Sequence, residues 1–417
     1  MSHWRRIVHA VLRRIKAGRI EVEERWPGGE TLSFGPDSTH LHARVAINDP
    51  RLYAQLCRSK SIALGRSYAE RGWETDDLPE LLRIIARDVH RGDRLRRRVA
   101  PLLIPFQRLN TLTMLNTRSG AHSNIARHYN LGNEMFELFL DQETMMYSSA
   151  CFESPDDTLE QAQRRRLESI CDALELSERD HLLEIGGGWG GLAVHAASSR
   201  GCRVTTTTIS AEQRDYALAR VRAAGLEGLV NVRGSDYRDL SGRFDKLASI
   251  EMIEAVGWEW LDTYFRRCSE LLGPAGLFFL QAIVIEDGAY EIEKRTKSFA
   301  NELIFPGGCL PSVSSIQRSI ARRTDLRTIS LQDISPSYVL TLRAWRQRFE
   351  AASARLEELG YDERFRRTWS IYFAISEAGF AEARIRDVQM LLAKPRWSPS
   401  LSVAGAGERR EPVRGSR

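Results

Sequence analysis

No stretch of this 417-residue chain approaches the roughly 18–20 consecutive apolar residues that span a bilayer, so no membrane-crossing helix is expected. No signal-peptide pattern opens it, because Trp4, Ile7 and Val8 are interleaved with charges. The six cysteines (Cys57, Cys151, Cys171, Cys202, Cys268 and Cys309) are scattered, with neither a CxxC pair nor a Cys/His cluster. That excludes structural zinc and a disulfide framework, predicts no bound metal, and points to a reducing cytoplasm. No internal repeat is visible. Neither sign of charge dominates: the formal net charge is +5, which permits an acidic surface such as lipid headgroups as partner without demanding one. No nucleic-acid partner is expected. Hydrophobic residues make up 42%, and the length suits one large domain plus a smaller one.

Residues 3–16, HWRRIVHAVLRRIK, place Trp4, Ile7, Val8, Val11, Leu12 and Ile15 on one helical face and most of the basic residues elsewhere. Such a helix can lie on an anionic membrane or pack on its own domain. Arg91 to Arg98, RGDRLRRR, form a second basic cluster that reads as a solvated face or a lipid contact. The resulting division is a small N-terminal domain over 1–106, a linker over 107–122, a large domain over 123–393 and a disordered tail over 394–417, rich in Pro, Gly, Ser and Arg.

The large domain is more regular. Strand-like stretches at 181–186, 202–209, 230–236, 244–254 and 276–285 alternate with helical patterns. One of these helices opens with Ser210 and Gln213 in capping-box spacing and stops on Gly225. This order predicts an α/β fold, a doubly wound parallel sheet of Rossmann-like type with helices on both faces.

Residues 184–191, EIGGGWGG, carry a strand into a helix through Gly186, Gly188 and Gly190. Glycine turns tightly and lets a ligand approach the backbone. A nicotinamide site expects an acid about 20 residues on, at the end of the second strand. That place is TTTTIS (205–210), with no acid before Glu212. No Lys-Ser or Lys-Thr pair follows the glycines, which excludes a P-loop. The loop suits instead the adenosyl cofactor of methyltransferases, with Glu184 opening the motif and Asp236 facing the adenine. The plain alternative is a glycine loop that packs helix on strand.

Eight stretches carry a specific resemblance: IARHYNLGNEMFELFLD (125–141), MMYSSACF (145–152), EIGGGWGGLA (184–193), TTISAEQ (207–213), SDYRDL (235–240), SIEMIEAVG (249–257), IFPGGCLPS (304–312) and YVLTLRAW (338–345). Over roughly residues 120–392 the chain resembles the cyclopropane-fatty-acyl-phospholipid synthase family of S-adenosylmethionine-dependent class I methyltransferases. Such enzymes methylate a double bond in an acyl chain. An alkene is a poor nucleophile, so the methyl donor must be a strong electrophile, and transfer leaves a carbocation. The site must be apolar and dry, carry negative charge near the cation, and hold a base. Proton removal from the new methyl closes a cyclopropane; removal from a neighbouring carbon gives a methylene or shifted alkene.

The resemblance implies cofactor contacts from Tyr147 and Ser148, from Glu184, Gly186, Gly188, Trp189 and Gly190 in the loop, from the neutral Thr208, Ser210 and Gln213, and from Asp236 and Tyr237 beside the adenine. It makes Glu254 and Tyr338 active-site groups. Trp258, Trp260, Tyr264, Phe278, Phe279 and Phe305 read as tunnel walls or ordinary core. In the family a bicarbonate ion serves as base, held by a Cys, a Glu, a His, a backbone group and a Tyr. Those positions fall on Ser149, Glu254, Gln281, Ile283 and Tyr338, and a late-helix cysteine of the family falls on Ser376. Neutral Ser149 and Gln281 predict a weaker hold on bicarbonate, with Glu254 as the main base and a methylated, non-cyclopropane product. The expected partner is the inner face of a phospholipid bilayer, met by a cytoplasmic, peripheral enzyme; a homodimer and a reductase partner are compatible with this. Methylation of another lipid or small molecule, and non-catalytic lipid binding, are the alternatives.

Overall fold

Two sheets organise residues 2–89 and 131–399, the residues described in the computed structural model. In the first, β1 (Arg19–Glu24), β2 (Thr31–Phe34), β3 (His42–Ile47) and β4 (Trp73–Thr75) pair in the order β2-β1-β3-β4. β1 runs parallel to β3, and the other pairs are antiparallel. Alternation along β1 buries Ile20, Val22 and Glu24 on one face. A buried carboxylate needs donors. Glu24 has them: Arg5 Nε and Nη2, each at 2.7 Å, Tyr53 Oη at 2.6 Å and the Glu30 amide at 3.0 Å.

Arg5 lies on the helix Ser2–Leu12, so this ion pair fastens that helix to the sheet. Trp4, Val8 and Leu12 pack on the core, while Ile7 and Val11 face outward at 38% and 61% exposure. The helix therefore packs on its own domain, with part of the expected apolar face turned away from it. The 106 boundary, the 107–122 linker, the Arg91–Arg98 cluster and the tail beyond 399 lie outside the described residues.

The second sheet has seven strands: β5 (His181–Ile185), β6 (Arg203–Thr207), β7 (Val230–Arg233), β8 (Phe244–Ile250), β9 (Leu272–Ile285), β10 (Arg327–Asp333) and β11 (Ile385–Ala393). Their order is β10-β11-β9-β8-β5-β6-β7. β5 to β9 are mutually parallel, and β11 runs antiparallel to both neighbours. The chain winds outward from β5 in both directions, so the carboxyl ends of β5 and β8 form the crevice where ligands of doubly wound sheets bind. The expected α/β fold is found.

Two local boundaries differ. β8 stops at Ile250, short of the expected 254, because Glu251 takes a left-handed φ of +48°. Residues 394–397 do not leave the body: the Lys394 and Arg396 amides bond to Gly276 and Pro274 carbonyls, and Lys394 Nζ reaches Asp325 at 2.6 Å. Among the described residues no helix is long and apolar enough to cross a membrane.

Replacing Glu24 by Leu removes the buried acceptor of Arg5 and Tyr53 and leaves them only Glu30 and His9 as partners. The expected cost is about 3 kcal/mol in urea unfolding. A loss below about 1 kcal/mol would show that solvent readily replaces the carboxylate.

Candidate active site

The loop after β5 has a closed back and an open front. Gly186, Gly188 and Gly190 have φ of +87°, +53° and +83°, a region that side-chain-bearing residues enter at a cost. A Cβ on Gly187 would lie 1.8 Å from Thr206 Oγ1 and 2.8 Å from Glu184 Oε2. A Cβ on Gly188 would meet no protein atom nearer than Gln213 Nε2 at 4.0 Å, because that residue faces a cavity. Glu184 supports the loop from behind and is not on the cavity wall. It accepts from Thr206 Oγ1 at 2.5 Å, and burial pushes its carboxyl up to about 7.

The cavity has a volume of about 390 Å³. Nine of the expected cofactor residues line it: Tyr147, Ser148, Gly186, Gly188, Trp189, Thr208, Gln213, Asp236 and Tyr237. Thr208 Oγ1 donates to Gln213 Oε1 at 2.8 Å, and Arg238 grips Asp236 at 2.8 and 2.6 Å. Ser210 and Gly190 stand off the wall; each caps a helix, Ser210 by accepting from the Gln213 amide at 3.3 Å. The wall also carries apolar side chains, Met252, Val256, Ile283, Phe305, Leu342 and Phe380; Met252 closes on Gly186, and Phe305 stacks on Tyr147 with centroids 6.3 Å apart. Of the expected tunnel aromatics only Phe305 is among the wall residues; Tyr264, Phe278 and Phe279 are core, and Lys294 and Arg295 lie over the Trp258 ring. A glycine cradle with room in front, neutral hydrogen-bonding groups and an acid beyond them fit an adenosyl cofactor.

On the same wall, next in the chain to Met252, stands a residue that the sequence reading passed over. Glu251 accepts from the Ser149 amide at 2.9 Å, from Gln281 Nε2 at 2.7 Å and from Tyr338 Oη at 2.6 Å. Burial raises its carboxyl above the usual range, and these three donors oppose that rise. Its positive φ is backbone strain at the point where the carboxylate turns into the cavity.

Ser149 and Gln281 were expected to face a bound anion through their side chains. They do not reach the cavity wall. Ser149 Oγ donates to the Ala150 carbonyl at 3.0 Å, and only its amide serves the site. The Gln281 amide is spent on Glu251, on Asp387 at 2.9 Å and on Gln389 at 3.1 Å.

Glu254 does line the cavity. Its Oε1 accepts from the Ile283 amide at 2.5 Å, while Oε2 is buried without a partner. Burial first, then repulsion from Glu251, pushes its carboxyl up to about 8. Tyr338 faces the cavity edge and stacks on Phe380, centroids 4.3 Å apart. Ser376 lies on the wall, on the helix Glu363–Ala381.

The signal for Glu251 was present in the sequence: SIEMIE puts two acids three apart at a strand's carboxyl end. Asp387 was also legible, as an acid inside an apolar strand. Arg166 was hidden in the run RRR, which reads as a solvated face. Helical phase separates the three: Arg164 is exposed, whereas Arg166 shares the buried i, i+4 row of Ala162 and Ile170.

A seven-stranded sheet of this order, with the glycine cradle and acid-lined cavity at its carboxyl ends, defines a class I S-adenosylmethionine-dependent methyltransferase. The family profile for mycolic acid cyclopropane synthetase matches residues 116–390, and the chain belongs to that family. It is 34% identical to a tuberculostearic acid methyltransferase of Mycobacterium tuberculosis, over 89% of this chain and 96% of that one. It is 33% identical to the cyclopropane-fatty-acyl-phospholipid synthase of Escherichia coli, over 84% of this chain and 86% of that one. A solved mycolic acid cyclopropane synthase, in complex with SAH and CTAB, superposes with a TM-score of 0.61 at 27% identity, covering 66% of this chain and 98% of that one.

Two substitutions separate the cradle's faces. Gly188→Ala is expected to fold with a loss of about 1 kcal/mol and to weaken S-adenosylmethionine at least about tenfold, by calorimetry. Gly187→Ala must displace Thr206 and Glu184, and is expected to lose several kcal/mol of stability.

Cofactor binding is also expected to release a proton. With its carboxyl at about 8, Glu254 is mostly protonated at pH 7. A sulfonium nearby favours the ionised form, so affinity should rise with pH and level off above about 8. SAH lacks that charge and should release none. Calorimetry in two buffers of different ionisation enthalpy measures this, and equal release by both ligands would overturn it.

Proposed function

We propose that this protein transfers a methyl carbon from S-adenosylmethionine to the double bond of an unsaturated fatty acyl chain carried by a membrane phospholipid, with Glu251 as the base. The observation that carries the proposal is the Glu251 carboxylate, pinned by three donors on the wall of the cavity that the glycine cradle also lines. The names of two relatives, a tuberculostearic acid methyltransferase and a cyclopropane-fatty-acyl-phospholipid synthase, support an acyl substrate.

Bound in the cradle, S-adenosylmethionine supplies an electrophilic methyl group. The apolar walls position the alkene and exclude water that would quench a cation. Addition of the methyl to one alkene carbon leaves positive charge on the other. Glu254, with an unpartnered oxygen, is placed to stabilise that charge. A hydride shift from the methyl-bearing carbon to its cationic neighbour moves the charge onto the branch point. Glu251 then takes a proton from the new methyl or from an adjoining chain carbon, and that C–H electron pair becomes the π bond of a methylene or shifted alkene.

The groups that by resemblance hold a bicarbonate hold a carboxylate of the chain itself: the Ser149 amide, Gln281 and Tyr338 all bind Glu251. Turnover is therefore independent of bicarbonate. Once the charge sits on the methyl-bearing carbon, proton loss gives an alkene and cannot close a ring. The main product is a methylene- or methyl-branched chain, and a reductase would be needed to saturate a methylene. The bilayer is met at its inner face, with exposed Ile7 and Val11 and the neighbouring Arg6, Arg13 and Arg14 as contacts.

Gas chromatography with mass spectrometry of acyl chains, after labelling with methyl-labelled methionine, tests the reaction. Glu251→Gln is expected to cut turnover by about 10²–10⁴-fold while cofactor binding persists. Glu251→Ala leaves the three donors facing a vacant space, so added formate or bicarbonate should restore part of the rate. Cyclopropane as the main product, formed only with bicarbonate, would overturn the assignment of Glu251. Binding to anionic vesicles should fade with salt and weaken in Val11→Asp; equal binding to neutral vesicles would count against the helix.

A further inference from the structure

We propose that Arg166 and Asp387 are positioning residues behind Glu251: Arg166 supplies its counter-charge, and Asp387, itself protonated, donates a hydrogen bond to it, so that Glu251 meets the substrate as a charged base. This rests on the reading of Glu251 as the base.

Arg166 is completely buried, and its Nη1 and Nη2 have no hydrogen-bond partner. Only Nε is paired, with Gln163 Oε1 at 3.1 Å. A guanidinium stripped of water without matching acceptors is costly, unless its charge is needed nearby. Its strongest electrostatic partner is Glu251, followed by Cys151, Asp387 and Asp141. Asp387 is also completely buried. It shares the single donor Gln281 Nε2 with Glu251, at 2.9 and 2.7 Å, which brings the two carboxyls against one amide group. Two carboxylates this close cannot both be ionised, and one must hold the proton.

The donors decide which. Glu251 receives three from Ser149, Gln281 and Tyr338; Asp387 receives Gln281 alone, and its Oδ1 has no partner. Burial and repulsion from Glu251 and Glu254 push the Asp387 carboxyl well above the usual range. The other titratable groups facing this cluster are Glu254 from the turn after β8, Tyr338 and Tyr372 from the two helices over the cavity, and Cys151. Charge then balances. With a sulfonium in the cradle, two positive charges face two carboxylates, Glu251 and Glu254. After transfer, Glu251 carries the substrate's proton, and the charges of Arg166 and Glu254 balance across the site.

The test is the pH profile of kcat for the full-length protein on phospholipid vesicles. Arg166→Met removes the counter-charge, so the acid limb should move up by about one pH unit and the rate at pH 7 should fall about tenfold. Arg166→Lys keeps the charge and should stay within about threefold of the parent. Asp387→Asn keeps a donor and an acceptor in the same shape and should also stay within about threefold, whereas Asp387→Leu should lose at least about tenfold. Infrared difference spectra at pH 9, where Glu254 is ionised, should show a protonated carboxyl that disappears in Asp387→Asn. An inactive Asp387→Asn that still binds S-adenosylmethionine, or an unmoved acid limb in Arg166→Met, would overturn the proposal while Glu251→Gln remained inactive. Full activity in Glu251→Gln would instead overturn the assignment of the base itself.

Discussion

A charged carboxylate inside an apolar pocket is the constraint that the rest of this site obeys. Left alone, Glu251 would take up a proton and cease to be a base. Its surroundings act against that outcome from several elements at once: a loop amide at Ser149, a strand amide side chain at Gln281, a helix hydroxyl at Tyr338 and a buried guanidinium at Arg166. Each comes from a different part of the chain. The folded sheet and the helices over it are needed to bring them to one point, so the base and the fold are not separable.

The same cavity must serve opposite demands. In the proposed reaction a carbocation survives only away from water, yet its formation needs negative charge close by. Apolar side chains make up much of the wall, and Glu251 and Glu254 enter it together from the carboxyl end of β8, through a strained turn. Glu251 and Glu254 sit three residues apart with different partners. Three donors favour the ionised form of one, and a single amide leaves the other protonated at neutral pH until a cation arrives. Two adjacent carboxyls thus acquire different roles from their surroundings alone.

The N-terminal sheet is joined to this arrangement by more than the chain. Arg83 and Arg87 grip Glu382 at the end of the helix that bears Ser376, and the core clusters of the two regions merge through Phe136, Phe139 and Trp369. The basic helix at its edge is held by Glu24, which leaves Ile7 and Val11 as its outward apolar residues.

The sequence by itself determined the alternation of strands and helices in the core, the glycine cradle and the neutral residues in place of a ribose-binding acid, and its resemblance to a family pointed to Glu254 and Tyr338. These are local properties: hydrophobic period, glycine spacing and residue type are written in consecutive positions. Only the tertiary structure decided which acid is held as the base. That choice rests on donors from Ser149, Gln281 and Tyr338, far apart in the chain, and on an arginine whose burial follows from helical phase. Ser149 and Gln281 were legible as departures at two positions, but their function was not, because a side chain's partners depend on what the fold brings opposite it. A buried charge is stabilised by contacts across the fold, and no stretch of sequence contains both halves of such a contact.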